Sequence, residues 1–243
     1  ALDIDQHSGF GFSHMIHLGD SLDVDLADAL DYLAGDYHTR AILLYLEHIR
    51  DARKFMSAAR RAARIKPVIA LKPRHYPEEE PGDAVYAAAF RRAGLLQVED
   101  SHELMQMVEV LKAAKRVNND RLAILSNSSS MSLFATDTLY RFGGRLAQLS
   151  EATQQGLERL IEPSAQTNPS DLGDQASVKD YGQALDLLLT DPGVDGVLVI
   201  KTPSDLGETV AVAESLIQRL AQSRCCIIAS FPGSRIGAEA RRR

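Results

Sequence analysis

Residues 19–72, GDSLDVDLADALDYLAGDYHTRAILLYLEHIRDARKFMSAARRAARIKPVIALK, decide how the rest of the chain is read. Two apolar runs, Ala41–Leu46 and Pro67–Leu71, bracket a helical segment over Asp51–Ile65. The runs are continuous rather than alternating, as strands of a parallel sheet covered on both faces require. Between them Phe55, Ala59, Ala62 and Ala63 recur at helical spacing and point inward, while Arg60, Arg61 and Arg64 face solvent. Strand, helix and strand in this order make a crossover unit of a parallel sheet. Glu47 and His48 directly follow the first strand. Open parallel sheets bind their ligands at the carboxyl ends of strands, so these two residues are candidates for chemistry.

Upstream, FSHMIHL (12–18) alternates in β-rich types and predicts a strand, followed by a turn at Gly19-Asp20-Ser21. Asp25 is placed to cap a helix whose apolar stripe is Leu26, Ala29, Leu30 and Leu33, with Asp28 and Asp31 turned away. The carboxylates at 20, 23, 25, 28 and 31 lack the central Gly and terminal Glu of a calcium loop, which leaves a capped helix with a solvated acidic face. Downstream, Pro73–Gly82 is a loop with three prolines and the run Glu78–Glu80. A helix over Asp83–Ala93 ends at Gly94, and the strand LLQV follows. A further helix spans Ser101–Arg116, with Ser101 and Glu103 at its start and Leu104, Met107, Val108 and Leu111 on one face. The polar run Val117–Asp120 sets a domain boundary, giving domains 1–117 and 118–243.

The second half repeats the alternation. A strand RLAILSN leads through the loop Asn127–Ser130 into a helix over Met131–Phe142, closed by Gly143-Gly144. The strand RLAQL, a helix capped by Ser150, a long loop from Pro163 to Ala176 and a helix over Val178–Thr190 come next. The strand VDGVLVI, a loop at Thr202–Ser204, a helix with Val210, Ala213, Ile217 and Leu220 inward, and the strand CCIIASF complete the chain. The fold class is α/β, in two domains with parallel sheets; the resemblance given below implies that each is a flavodoxin-like, doubly wound parallel-sheet domain with three α/β/α layers.

Composition narrows the function. The chain has 243 residues, a net charge of −6, 45% hydrophobic and 25% charged residues. That balance argues against a general nucleic-acid binder. No apolar run approaches the ~18 residues of a membrane span, and no signal peptide is evident. The adjacent Cys225 and Cys226 read as reduced core thiols, consistent with a cytoplasmic protein. Ala1 in place of a methionine, and a final GSRIGAEARRR that stops where another helix would begin, read as a piece of a longer chain. A dinucleotide fingerprint, a P-loop, a nucleophile elbow and zinc-ligand spacing are all missing from the sequence. Each of the seven histidines, taken singly, reads as structural or exposed. Three strand ends carry polar groups suited to a site: Glu47 with His48, His75 after PVIALK, and Asn127, Ser128, Ser129 and Ser130 after RLAIL. A carboxylate beside a histidine fixes its tautomer and raises its basicity. A helix start rich in hydroxyls holds an anion through free N–H groups.

These segments, from GFGFSHMIHLGDSLDVDLADALDYLAGD through TRAILLYLEHIRDARKFMSAARRAARIKPVIALK, GDAVYAAAFRRAGLLQVEDSHEL, RLAILSNSSSMSLFATD, LSEATQQGL and NPSDL to DPGVDGVLVIKTP, resemble in order the CoA-ligase portion of NDP-forming acyl-CoA synthetases, the succinyl-CoA synthetase superfamily. GDSLDVD and DARKFMSAAR are most similar to Pat-type protein lysine acetyltransferases, in which a synthetase-like region is fused to a GNAT domain. The resemblance implies that Glu47 holds a phosphoryl-carrying histidine and that His75, eight residues before Asp83, occupies that histidine's place. It implies an anion cradle at Asn127–Ser130. It also implies CoA or acyl-CoA and ATP/ADP with Mg as ligands of the parent, bound through other domains, with a homo-oligomer as a further possibility. Here the histidine stands in R-H-Y-P instead of the family's S-H-T-G, and N-S-S-S-M replaces the family's glycine-rich turn. Those departures make an acyl-CoA-sensing regulatory region with phosphoryl transfer lost the first expectation. An active phosphohistidine synthetase and a structural subunit-interface module are the alternatives.

Overall fold

A computed structural model describes residues 11–73, 82–113, 117, 119–160, 168–203, 206–223, 225–233 and 237. The chain divides into two compact units, Ala1–Ala113 and Ala114–Arg243.

In the first unit the order is α1 (Leu26–Gly35), β1 (Ile42–Tyr45), α2 (Ala52–Ile65), β2 (Val68–Leu71), α3 (Gly82–Ala93), β3 (Leu96–Val98) and α4 (Ser101–Ala113). The strands form one parallel sheet in the order β1-β2-β3, with Ile42 opposite Val68 and Ile69 opposite Leu96. Side-chain caps fix the helix starts. Asp25 accepts from the N–H groups of Ala27 and Asp28, and Asp28 reaches back to the Asp25 N–H, a reciprocal box. Asp51 caps α2 by accepting from the N–H groups of Arg53 and Lys54, without a reciprocal bond. Leu30, Phe55, Ala58, Ala59, Ala62 and Phe90 are wholly buried. The alanine face lets α2 lie close to its neighbours. Gly94 ends α3 in the left-handed conformation at φ +80°, which glycine adopts without a Cβ penalty.

Several expectations shift. Residues 12–18 form no strand and are largely exposed. Side chains tether them instead: Ser13 and Thr39 share a hydroxyl hydrogen bond of 2.9 Å, and His14 Nδ1 lies 3.6 Å from Asp36. β-rich alternation becomes a strand only beside a pairing partner, and among the described residues β1 pairs with β2 alone. The acidic face of α1 is not simply solvated. Asp28 bonds Lys54 at 2.7 Å and Asp31 bonds Arg61 at 2.5 Å, both across to α2. Ala27, Leu30 and Ala34 are the buried side of α1, with Leu26, Ala29 and Leu33 half-buried. The cap of α4 is Asp100, whose carboxylate accepts from the Glu103 N–H at 2.8 Å, rather than Ser101.

The second unit runs β4 (Arg121–Ser126), α5 (Ser129–Arg141), β5 (Arg145–Leu146), α6 (Glu151–Leu157), β6 (Ser170–Asp171), α7 (Val178–Thr190), β7 (Gly196–Ile200), α8 (Leu206–Gln222) and β8 (Cys226–Ser230). Its sheet is parallel, β5-β4-β7-β8, with β6 added against the carboxyl end of β4. Tyr181, Leu185 and Leu188 of α7 pack with Leu125, Val197, Val199 and Leu216 in one core. The inward side of α8 is Thr209, Val212, Ala213 and Leu216, while Ile217 is exposed. The expected stripe is thus right at Ala213 and rotated elsewhere. The two-residue strand β6 lies inside the expected long loop. It is set by Asn168, whose amide accepts from the Ile124 N–H and donates to the carbonyls of Leu122 and Ala147.

Candidate functional site

The carboxyl end of β1 stops at the buried Leu46, after which Glu47 and His48 emerge exposed. Ile42 donates to Pro67 and Leu46 to Leu71, so one edge of β1 is fully used. In a parallel ladder the alternate residues, Leu43 and Tyr45, turn their backbone groups to the opposite edge. A cavity of about 700 Å³ runs along that edge, within the first unit, and its lining includes His14, His17, Leu44, Glu47 and His48. Its walls combine apolar side chains with imidazoles, the carboxylates of Asp25, Glu47 and Asp51 and the arginines Arg40 and Arg50, a mixture that orients a polar ligand in a partly apolar cleft. Near its rim the Thr39 hydroxyl, the His38 N–H and the imidazoles of His14 and His38 hold the Asp36 carboxyl below its ordinary value despite partial burial.

His75 and Glu78–Glu80 lie outside the described residues. What borders that loop is plain. Lys72, at the end of β2, has a side chain only 7% exposed and bonds Asp83 at 3.1 Å. Its ammonium also lies 4.7 Å from the centre of the Tyr86 ring. Lys72 and Asp83 therefore join the two ends of the loop carrying His75. Sequence reading passed over Lys72; its only signal was a cation directly after a buried strand.

In the second unit the four polar residues after β4 separate into two groups. Asn127 is buried, and its amide is committed to Thr202. The oxygen accepts from the Thr202 N–H at 2.8 Å and from its hydroxyl at 3.0 Å, and the Asn127 nitrogen donates to the Thr202 carbonyl. Ser128 caps α5, accepting from the Met131 N–H at 3.5 Å, and its own N–H donates to Ser126 Oγ at 3.0 Å. The helix therefore starts at Ser129, earlier than the expected Met131, because this cap sets its first turn. Ser129 and Ser130 are exposed in that turn, so their hydroxyls and N–H groups face solvent at the positive end of the helix dipole. Beneath this end Tyr181 donates to the Ile200 carbonyl at 2.9 Å. Burial, then the charges of Asp171 and Glu208, push its hydroxyl pKa far up, so it stays a neutral donor. Lys201, fully buried and also missed in the sequence, lies 3.4 Å from Glu208.

Residues 1–111 match the family described as succinyl-CoA ligase like flavodoxin domain. Over 239 residues the chain is 32% identical to acetate–CoA ligase (ADP-forming) I of Archaeoglobus fulgidus, covering 93% of this chain and 34% of that protein. It is 33% identical over 202 residues to the alpha subunit of acetate–CoA ligase (ADP-forming) II of Pyrococcus furiosus, covering 78% of this chain and 44% of the relative. A solved structure from Pyrococcus horikoshii OT3 superposes with a TM-score of 0.76 at 31% identity, over 96% of this chain and 53% of that one. The chain thus spans 34% and 44% of the length of these two curated relatives. Residues 1–111 are therefore similar to a succinyl-CoA ligase-like flavodoxin domain, in a chain similar to ADP-forming acetate–CoA ligases.

Proposed function

We propose that this chain is the phosphoryl-relay part of an ADP-forming acyl-CoA ligase. The observation that carries this reading is Glu47, exposed at the carboxyl end of β1 beside a cavity, in a chain similar over 93% of its length to an ADP-forming acetate–CoA ligase. In this reading His75 accepts a phosphoryl group from an acyl phosphate and passes it to ADP. Glu47 accepts a hydrogen bond from the imidazole, fixing its tautomer and stabilising the charged ring. The free first-turn groups of α5 at Ser129 and Ser130 suit an anion of this kind. CoA, acyl-CoA and nucleotide are then ligands of the complete enzyme, in a cytoplasmic setting.

A second reading, a Pat-type acyl-CoA-sensing region that has lost phosphoryl transfer, is favoured by one feature of the second unit. Asn127 is occupied by Thr202, and the start of α5 has no glycine to let backbone approach a phosphate closely. Incubation with acetyl phosphate and Mg²⁺ separates the two. The relay reading expects an acid-labile, base-stable phosphate on the wild-type protein and none on His75→Ala. Failure of the wild-type protein to label would favour the second reading, and labelling that survives His75→Ala would refute His75 as the phosphoryl acceptor.

A further inference from the structure

Most cations among the described residues have a partner. In the first unit Lys54 bonds Asp25 and Asp28, Arg61 bonds Asp31, Lys72 bonds Asp83, and Lys66 donates to the carbonyls of Leu33 and Asp36. In the second, Arg121, Arg141, Arg145 and Arg219 each pair with an aspartate. Six arginines among the described residues of the first unit depart from this pattern: Arg40 by itself, and five that lie together. Arg53, Arg60 and Arg64 on α2, and Arg91 and Arg92 on α3, are exposed, and their guanidiniums have no hydrogen bond or ion pair among the described residues.

Two adjoining grooves collect them. One, of about 500 Å³, lies between the helices, with Arg60, Arg64, Arg91 and Arg92 around the small side chains of Ala63 and Ala93. The other, of about 440 Å³, continues along α2 past Arg53 and Ser57 and shares Arg60 and Arg64 with the first. Positions 53, 57, 60 and 64 lie on one helix face, so the strip extends roughly 16 Å at 1.5 Å per residue. The two helices that carry it are joined through the buried core, where Phe55 of α2 and Phe90 of α3 pack edge to face with ring centres 6.4 Å apart.

Helix dipoles account for only part of this charge. Arg64, Arg91 and Arg92 sit in last turns, where a cation is favourable. Two helix C-termini, however, carry together only about one negative charge. Arg53 sits in the first turn of α2, where a cation opposes the dipole. Arg60 and Arg64 are four residues apart and repel each other. Such an arrangement disfavours the free helix and suits an external counter-charge. Guanidinium forks bond phosphate oxygens in pairs, and a strip of five is too long for a single phosphate.

We propose that Arg53, Arg60, Arg64, Arg91 and Arg92 form a binding site for a linear chain of phosphates, free or carried by a nucleotide. The helix ends that bear it lead into the amino ends of β2 and β3. Arg60, Arg64, Arg91 and Arg92 therefore lie toward the opposite end of the sheet from Glu47, while Arg53, in the first turn of α2, extends the strip back toward the Glu47 end; the proposal makes no use of the phosphoryl relay.

Calorimetric titration of the full chain at constant ionic strength tests it, with three probes: inorganic tripolyphosphate, magnesium-free ATP, and a glutamate peptide of matched charge. The expected result is saturable binding of tripolyphosphate that weakens as salt rises. Arg60→Gln/Arg64→Gln and Arg91→Gln/Arg92→Gln should each weaken it at least about tenfold, the effect of losing one charged hydrogen bond or more. Arg159→Gln, which removes an exposed charge from the second unit, should leave binding unchanged. ATP binding more than about tenfold tighter than tripolyphosphate assigns the nucleotide as source, and equal binding assigns the free phosphate chain. The proposal is overturned by an absence of saturable binding, by binding that persists in both double variants, or by a peptide that binds as tightly as tripolyphosphate. The last result would make the strip a docking face for acidic polypeptide.

Discussion

Each unit ends a strand with a polar segment, and the two segments are used differently. After β1 the chain turns outward: Glu47 and His48 are exposed, and the strand edge beside them borders a cavity. After β4 the chain turns inward: Asn127 is buried and ties the end of β4 to Thr202 beyond β7. The difference follows from strand position. β4 lies between β5 and β7 and receives β6 as well, so its end is crowded and its polar groups must pair with each other. Among the described residues β1 has one ladder partner, and its end is exposed. Carboxyl strand ends thus present exposed polar groups beside a cavity in one unit and a structural latch in the other.

The largest effect that can break this comparison is at the latch. Asn127→Ala leaves the N–H, hydroxyl and carbonyl of Thr202 without their amide, and should cost about 2–4 kcal/mol in urea unfolding. A cost below about 0.5 kcal/mol would show that the amide is not a structural latch.

An electrostatic effect in the second unit sharpens the contrast. Hydrogen bonds from Arg121, foremost, and from Asn119 hold the Asp195 carboxyl far below its ordinary value. The folded state therefore favours the ionised form. Its stabilisation is present above the ordinary carboxylate value of 3.8 and is lost as pH falls through the lower folded value. Asp195→Asn should be less stable than wild type at neutral pH, and the gap should close on acidification. A gap that is constant with pH would contradict this. Smallest in stability is the open end: Glu47 is exposed, so Glu47→Gln should shift the unfolding free energy by no more than about 0.5 kcal/mol. A larger loss would make Glu47 a structural residue like Asn127.

The alternation of strands and helices was legible because buried parallel strands are short continuous apolar runs, and because Asp25 and Ser150 mark helix starts by local chemistry. What sequence reading missed depends on partners distant in the chain. Residues 12–18 have the alternation of a strand, yet a ladder needs a neighbour that no local pattern reveals. The two residues of β6 pair with β4 because Asn168 bonds the backbone at 122, 124 and 147. Lys72 and Lys201 are buried by neighbours such as Tyr86 and Tyr181, so neither stood out as more than a charge after a strand. At the candidate site Glu47 was readable from its place after β1. Asn127 was readable as a polar residue after β4, but its engagement with Thr202, 75 positions away, was not.

The central claim is that Glu47 serves a phosphorylated His75. The direct measurement is the lifetime of the acetyl phosphate-derived phosphoprotein, followed by phosphorus-31 NMR in wild type and in Glu47→Gln. If the carboxylate holds the phosphohistidine through a charged hydrogen bond, the variant should lose the label at least about tenfold faster, with its unfolding free energy unchanged. Equal lifetimes in the two proteins would contradict the claim.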